Sequence, residues 1–316
     1  MRSRHWAEVN EVTFVTGIKF LFLVFRFFGR WPFRVLVYPI ALVYMLRNPA
    51  ARAASRAYLV RVWRSLGRPA SEVNSWLMLR QFAAFSEGIL DKILAWTGRL
   101  KLDHVVFHGH EAVAARIAQG QGGLLISGHL GNIELCRALS KHRPGLRLTV
   151  LVHTKHAKAF NALLAEFNPE SSMNLLQVTE MTPATAILLR QKVERGEYVV
   201  IAGDRVPVSA HPRVALAEFL GEPAAFPIGP YLLASLLQCP VYLMFCVHQA
   251  PAYHVYYELF RERIQISRRD RGAACTALAA AYADRLAHYC RIAPLQWFNF
   301  YDFWAPPQSV SIDAAT

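Results

Sequence analysis

The sequence predicts an α/β fold: a mixed, largely parallel sheet flanked by helices, preceded by an N-terminal membrane-associated helical segment. Three observations carry that expectation. From residue 105 onward, short apolar runs alternate with helix-length stretches, the order expected of parallel strands joined by crossover helices. Before them lie two longer helical patterns, at 51–66 and 72–96, separated by Gly67-Arg68-Pro69. The first 46 residues combine the most apolar part of the chain with much of its positive charge.

Taken in order, residues 13–46 run through Phe14, Ile18, Phe20 to Phe25, Phe27-Phe28 and Val35 to Leu46, interrupted by Lys19, Arg26, Arg30 and Arg34. No uncharged run reaches the roughly 20 residues that a bilayer-spanning helix needs. With Pro32 and Pro39 as breaks, the stretch reads as two short helices lying in or dipping into a membrane interface, their arginine stems reaching back to the polar side. A single tilted span is the alternative, and the charges disfavour a cleaved leader. In the helix expected at 72–96, the stripe Trp76, Leu79, Phe82, Phe85 reads as packing. Strand candidates follow at 105–107, 124–126, 148–152, 175–178, 198–201, 214–219 and 241–247. Helices are expected at 111–118, 158–167, 183–194, 230–238 and 273–290. This gives three parts: a membrane-anchoring segment (1–47), one α/β domain with its own N-terminal helices (48–307), and a disordered tail (308–316).

Composition narrows the partners. Hydrophobic residues make up 54% of the 316 and charged ones 18%, too apolar for a disordered chain. The formal net charge is +13, and residues 1–68 hold twelve Lys/Arg against Glu8 and Glu11. Basic residues interleaved with apolar ones suit an anionic membrane surface. No nucleic-acid motif accompanies the charge, so nucleic acid is not expected as a partner. Five cysteines, odd in number and without a C-x-x-C pair, read as buried thiols and not as a disulfide framework.

The chemistry is expected at residues 122–134. Leu124-Leu125-Ile126 ends in Ser127-Gly128-His129-Leu130-Gly131-Asn132, and Ile133-Glu134 opens a helix. His129 thus stands at a strand-to-helix corner, where α/β proteins place reactive groups beyond the carboxyl ends of strands. Glu134 follows five residues later. On one continuous helix the two would point about 140° apart, but with His129 in the preceding loop the carboxylate can meet the imidazole and make it a general base. A second strand end, Ile201-Ala202-Gly203-Asp204-Arg205, offers an acid and a permanent cation suited to a phosphate or an oxyanion. His104, His108 and His110 invite a zinc reading with His129, yet no nearby carboxylate or cysteine completes a ligand set. A nucleotide-binding glycine loop and a Gly-x-Ser-x-Gly elbow are both missing.

The phrase from Ser127 to Glu134 resembles the His-x4-acid motif of the bacterial lipid A biosynthesis acyltransferases, within the glycerolipid acyltransferase superfamily. Two further segments are similar to that family: Asp204-Arg205, and Phe219-Leu220-Gly221-Glu222-Pro223-Ala224 with Pro227-Ile228-Gly229, read otherwise as a strand–loop–helix connection. The aromatic ending after Gln296-Trp297 is also similar, though Asn299 and Asp302 depart from it. The resemblance implies a glycerolipid-acyltransferase-like fold and a His129/Glu134 dyad. It implies substrate contacts at Gly131, Asn132, Asp204, Arg205, Gly221, Pro227 and Gly229. It further implies acyl carrier protein as donor and a membrane glycolipid as acceptor, at the cytoplasmic face of the bacterial inner membrane. No metal or organic cofactor is expected, because a thioester is already activated. The backbone amides around Gly131 and Asn132, or Arg205, are the expected oxyanion donors. A lysophospholipid-type acyltransferase and a non-catalytic lipid- or carrier-binding protein of the same fold are the alternatives.

Overall fold

Apolar residues every fourth position build the helix that follows Gly29. In α1 (Arg30–Arg47), Phe33, Val37, Ala41 and Met45 are buried, while Trp31, Val35, Val43 and Leu46 face outward. The computed structural model describes residues 23–140, 145–152, 175–177, 182–206 and 212–306. The expected helix at 158–167, the tail 308–316 and the first 22 residues lie outside the described residues.

The expected breaks at Pro32 and Pro39 are corrected. Pro32 falls in the first turn of α1, where its missing N–H leaves no helical bond unmade. Pro39 sits inside the helix, between the buried Val37 and Ala41, whose packing holds the helix through it. The chain breaks instead at Gly29, whose φ of 82° only glycine adopts readily. Among the described residues no helix is long and apolar enough to cross a membrane.

Next come α2 (Pro49–Ser65), with proline at its start, and α3 (Ser75–Trp96), capped by the Asn74 side chain accepting from the Leu77 amide at 3.0 Å. The run of α1 is antiparallel to α3. Arg30 pairs with the buried Asp91 at 2.8 Å, and Arg34 with Glu87 at 3.3 Å. Tyr253 completes the Asp91 site, its hydroxyl donating at 2.6 Å.

Nine strands follow among the described residues. They are β1 (Val105–His108), β2 (Gly123–Ser127), β3 (Arg147–Val152), β4 (Leu175–Gln177), β5 (Glu197–Ala202), β6 (Val214–Phe219), β7 (Glu222–Pro227), β8 (Val241–Gln249) and β9 (Ala252–Arg261). Seven form one sheet in the order β1-β9-β8-β2-β5-β3-β4, parallel throughout except for the β8–β9 hairpin. Helices α4 (Glu111–Ala118), α5 (Ile133–Ser140), α6 (Pro183–Glu194), α7 (Gly229–Leu237) and α8 (Arg271–Ile292) complete the described elements. Alternate strand residues feed opposite layers. Leu124, Ile126, Leu243 and Phe245 pack with α2, α7 and α8, whereas Leu125, Tyr242 and Met244 pack with α5 and much of α1 and α3. All five cysteines are buried and unpaired.

Two strands were not expected. β7 lies in Glu222-Pro223-Ala224-Ala225-Phe226-Pro227, which reads as a loop by its prolines. It pairs antiparallel with β6 as a separate two-stranded sheet, a place that tolerates proline. Leu220 and Gly221, at φ 54° and 86°, make the turn. In β9 the buried Tyr253 and Val255 alternate with half-buried His254 and Tyr256, a period-2 signal present in the sequence.

Candidate active site

Parallel register builds the site. Ser127 at the end of β2 lies opposite Ala202 at the end of β5. The residues two positions beyond each strand, His129 and Asp204, therefore emerge side by side. His129 Nδ1 lies 2.8 Å from Asp204 Oδ1, and the His129 backbone amide donates to Oδ2 at 2.7 Å. The Trp297 indole donates to the same Oδ2 at 3.0 Å. Below them, the Ser127 carbonyl accepts from the Gly203 amide at 2.7 Å and from the Tyr282 hydroxyl at 2.8 Å. Gly128 keeps this corner tight: a Cβ there would lie 2.8 Å from the Tyr282 oxygen and 2.9 Å from Asp204 Oδ2.

Electrostatics sort the pair. Burial alone would raise the Asp204 carboxyl, but the neighbouring imidazole, two hydrogen bonds from His129 and the Arg205 charge outweigh it and hold it at about 2. Asp204 is therefore a carboxylate near neutral pH, and it takes a proton-bearing Nδ1. The Nε2 lone pair is left as the basic atom. Burial lowers the imidazole below its ordinary value, and Arg205 and Lys92 push the same way against Asp204. The His129 side chain keeps 34% of its exposure, and that of Asp204 only 1%.

Glu134, the expected partner of His129, meets other groups in this structure. Its carboxylate takes Arg137 Nη2 at 2.7 Å and Nε at 3.1 Å, and the Trp96 indole at 3.2 Å. Arg137 in turn lies 4.5 Å over the Trp96 ring. The reason is geometric: Glu134 is the second residue of α5 and leans onto α3, whereas the imidazole turns to β5. Lys92 of α3 feels both Glu134 and Arg205 as well as His129. Spacing along the chain could not reveal it, since its helix reads as an apolar stripe.

The expected oxyanion amides are also engaged. Gly131 N–H donates to the Gln296 carbonyl at 2.8 Å and Asn132 N–H to the Cys246 carbonyl at 2.7 Å. The Asn132 side chain caps α5 by accepting from Leu135 N at 3.3 Å and donates to the Gly88 carbonyl at 3.2 Å. Gly131 and Asn132 thus brace the corner and do not point bare donors at a substrate. Arg205 remains beside the imidazole, with Nη2 donating to the Phe298 carbonyl at 3.3 Å. Gly221 turns the β6–β7 hairpin, Pro227 ends β7 opposite Val214, and Gly229 starts α7. This segment supports the site from below: Phe219 packs against Trp297 with ring centres 5.2 Å apart.

His108 is carried to β1, three strands from β2, where its Nε2 meets His254 Nδ1 at 2.9 Å. Among the described residues no group of three or more His, Cys, Asp and Glu could hold a metal ion. On the α3 side of the corner a cavity of about 60 Å³ is lined by Gly88, Asp91, Asn132, His248 and Phe298, among others. That is room for a few waters and not for a fatty chain.

A buried carboxylate fixing the far nitrogen of a half-open imidazole, with fixed positive charge beside it, can deprotonate a hydroxyl and steady a developing oxyanion. No curated protein sequence matches the chain. Residues 43–305 match the family model of the bacterial lipid A biosynthesis acyltransferases, a span that takes in every element of the site, and the chain belongs to that acyltransferase family.

Proposed function

We propose that the enzyme moves a fatty acyl chain from acyl carrier protein to a hydroxyl of a lipid A-type glycolipid, with His129 as general base and Asp204 as the acid that orients it. The observation that carries this reading is the 2.8 Å contact between His129 Nδ1 and Asp204 at two adjacent strand ends. Nε2 takes the acceptor's proton as its oxygen attacks the thioester carbon. Negative charge gathers on the thioester oxygen, where Arg205 and Lys92 provide the positive field felt at the imidazole. Collapse breaks the C–S bond, and the imidazolium returns its proton to the leaving thiolate, so the base is restored. Glu134 holds the buried Arg137 and acts on Lys92, one of the cations that bear on the imidazole.

The test uses purified protein, a radiolabelled acyl-carrier-protein thioester and a membrane lipid extract. Label is expected to enter a lipid, which mass spectrometry then identifies. Label that stays on the carrier, or leaves only as free fatty acid, would overturn the reading.

The same proposal places the chain at the cytoplasmic face of the inner membrane through α1 and the residues before it. On α1, Trp31, Val35, Leu42 and Leu46 share one face at four- and seven-residue spacing and are 76%, 51%, 39% and 59% exposed, with Arg34 and Arg47 in the same helix. An apolar stripe rimmed by arginines suits an anionic lipid surface. Trp31→Glu is expected to weaken co-sedimentation with vesicles containing an anionic phospholipid about tenfold. Added salt should weaken binding of the wild type as well. Equal sedimentation of both proteins would refute this use of α1.

A further inference from the structure

Between the start of α1 and the end of β8 the surface opens into a second cavity. Its volume is about 100 Å³, well above the roughly 10 to 15 Å³ that one water needs. Arg30, Arg99, His104 and His248 line it, with Leu94 and Tyr253 among its other walls, and no acidic side chain of the described residues does. Arg30 opens α1, Arg99 and His104 lie in the connection from α3 to β1, and His248 belongs to β8. Asp91 lines the smaller cavity, which shares His248 and Tyr253 with this one, and its carboxylate is answered there by Arg30 and the Tyr253 hydroxyl. Arg99 is exposed, lies 5.8 Å over the Phe25 ring, and enters no ion pair among the described residues. Burial lowers the His248 imidazole, so near neutral pH it is a neutral N–H donor.

We propose that this cavity binds a phosphate group. The donor set names the chemistry. Two guanidiniums and two imidazoles come to the space from separate elements, and a tetrahedral oxyanion offers acceptors in as many directions. A carboxylate presents two oxygens in one plane, and a fatty chain presents none. The surroundings name a source. Phe27, Phe28 and Trp31 are exposed at the same end of α1, so a phospholipid whose chains lie against them sets its headgroup beside Arg30. Neither His129 nor Asp204 lines the cavity, and the inference does not draw on the acyl-transfer reading.

Free phosphate shares that chemistry, so the experiment carries an arm for each source. Isothermal titration of the full chain in nonionic detergent, at an ionic strength fixed with chloride, compares inorganic phosphate, dihexanoyl phosphatidylglycerol and dihexanoylglycerol, which lacks phosphate. Saturable binding is expected for the first two and not for the third. Tighter binding of phosphatidylglycerol supports the site with a lipid headgroup as its ligand, and binding no tighter than that of inorganic phosphate supports it with free phosphate. Arg99→Gln is expected to weaken both about tenfold, the loss of one charge-assisted contact. His104→Ala should weaken both about two- to tenfold, the loss of one neutral hydrogen bond. Arg64→Gln removes an exposed charge of α2 outside the cavity and should change neither. All three side chains are exposed, so the unfolding midpoints should stay with that of wild type. Undiminished binding by Arg99→Gln would overturn the proposal, as would an equal loss in Arg64→Gln or dihexanoylglycerol binding as tightly as phosphatidylglycerol.

Discussion

Asp204→Asn is expected to cut acyl transfer about a thousandfold, the scale at which a general base and its orienting acid act together. The amide removes the negative charge that faces Nδ1 and can donate to that nitrogen. The proton then moves to Nε2, the atom needed as the base. The pH profile distinguishes this role from that of Glu134. His129 must be neutral to act, and burial holds it below its ordinary value, so wild-type kcat/KM should be flat near neutrality and fall only as pH drops below about 6.5. Asp204 is the group that raises the imidazole, by charge and by hydrogen bond. Its loss should therefore move the residual acid limb to still lower pH. Glu134→Gln, which alters the Arg137 and Trp96 contacts, should leave that limb where it is. Measured kcat/KM from acid to neutral pH for the three proteins decides the matter. A limb that moves in Glu134→Gln and stays fixed in Asp204→Asn would return the orienting role to Glu134.

The difference between those two acids marks where the chain could be read and where it could not. His129 was legible because a buried apolar run, small residues and a helix start are all local signals. Helices α4 and α6 fall where their spacing puts them. Which acid meets the imidazole depends instead on β2 and β5 being parallel neighbours in register, a contact between residues 75 positions apart. Glu134, five residues away in sequence, meets Arg137 and Trp96 instead. The carbonyls that Gly131 and Asn132 N–H meet were unreadable for a similar reason: Gln296 and Cys246 belong to distant segments. Pro39 and β7 show tertiary packing overriding local preference. By contrast, β9 carried a readable alternation, and its strand could have been found.

Gly131→Ala is expected to destabilise the fold by about 3 to 5 kcal/mol, at the severe end for a single substitution. Two independent terms combine. Gly131 has φ 70°, a left-handed conformation that costs an alanine about 1 to 2 kcal/mol. The added Cβ would also run into the Cys246 backbone carbonyl, which cannot swing aside as a side chain would. That carbonyl accepts from Asn132 N–H, and Gly131 N–H holds Gln296, so relief of the clash breaks one or both bonds at about 1 kcal/mol each. Against a typical total of about 5 to 15 kcal/mol, such a loss should be plain in urea unfolding. Gly128→Ala meets only a tyrosine hydroxyl and a carboxylate, both side-chain groups, and should cost less stability while disturbing Asp204 more. Activity and stability should then separate: the Gly131 variant fails by losing the strip 296–299 that closes the corner, and the Gly128 variant stays folded with its base misaligned. A Gly131 variant that unfolds within about 1 kcal/mol of wild type would mean that the loop gives way without breaking those bonds, and that the tightness of this corner is not what holds His129 against Asp204.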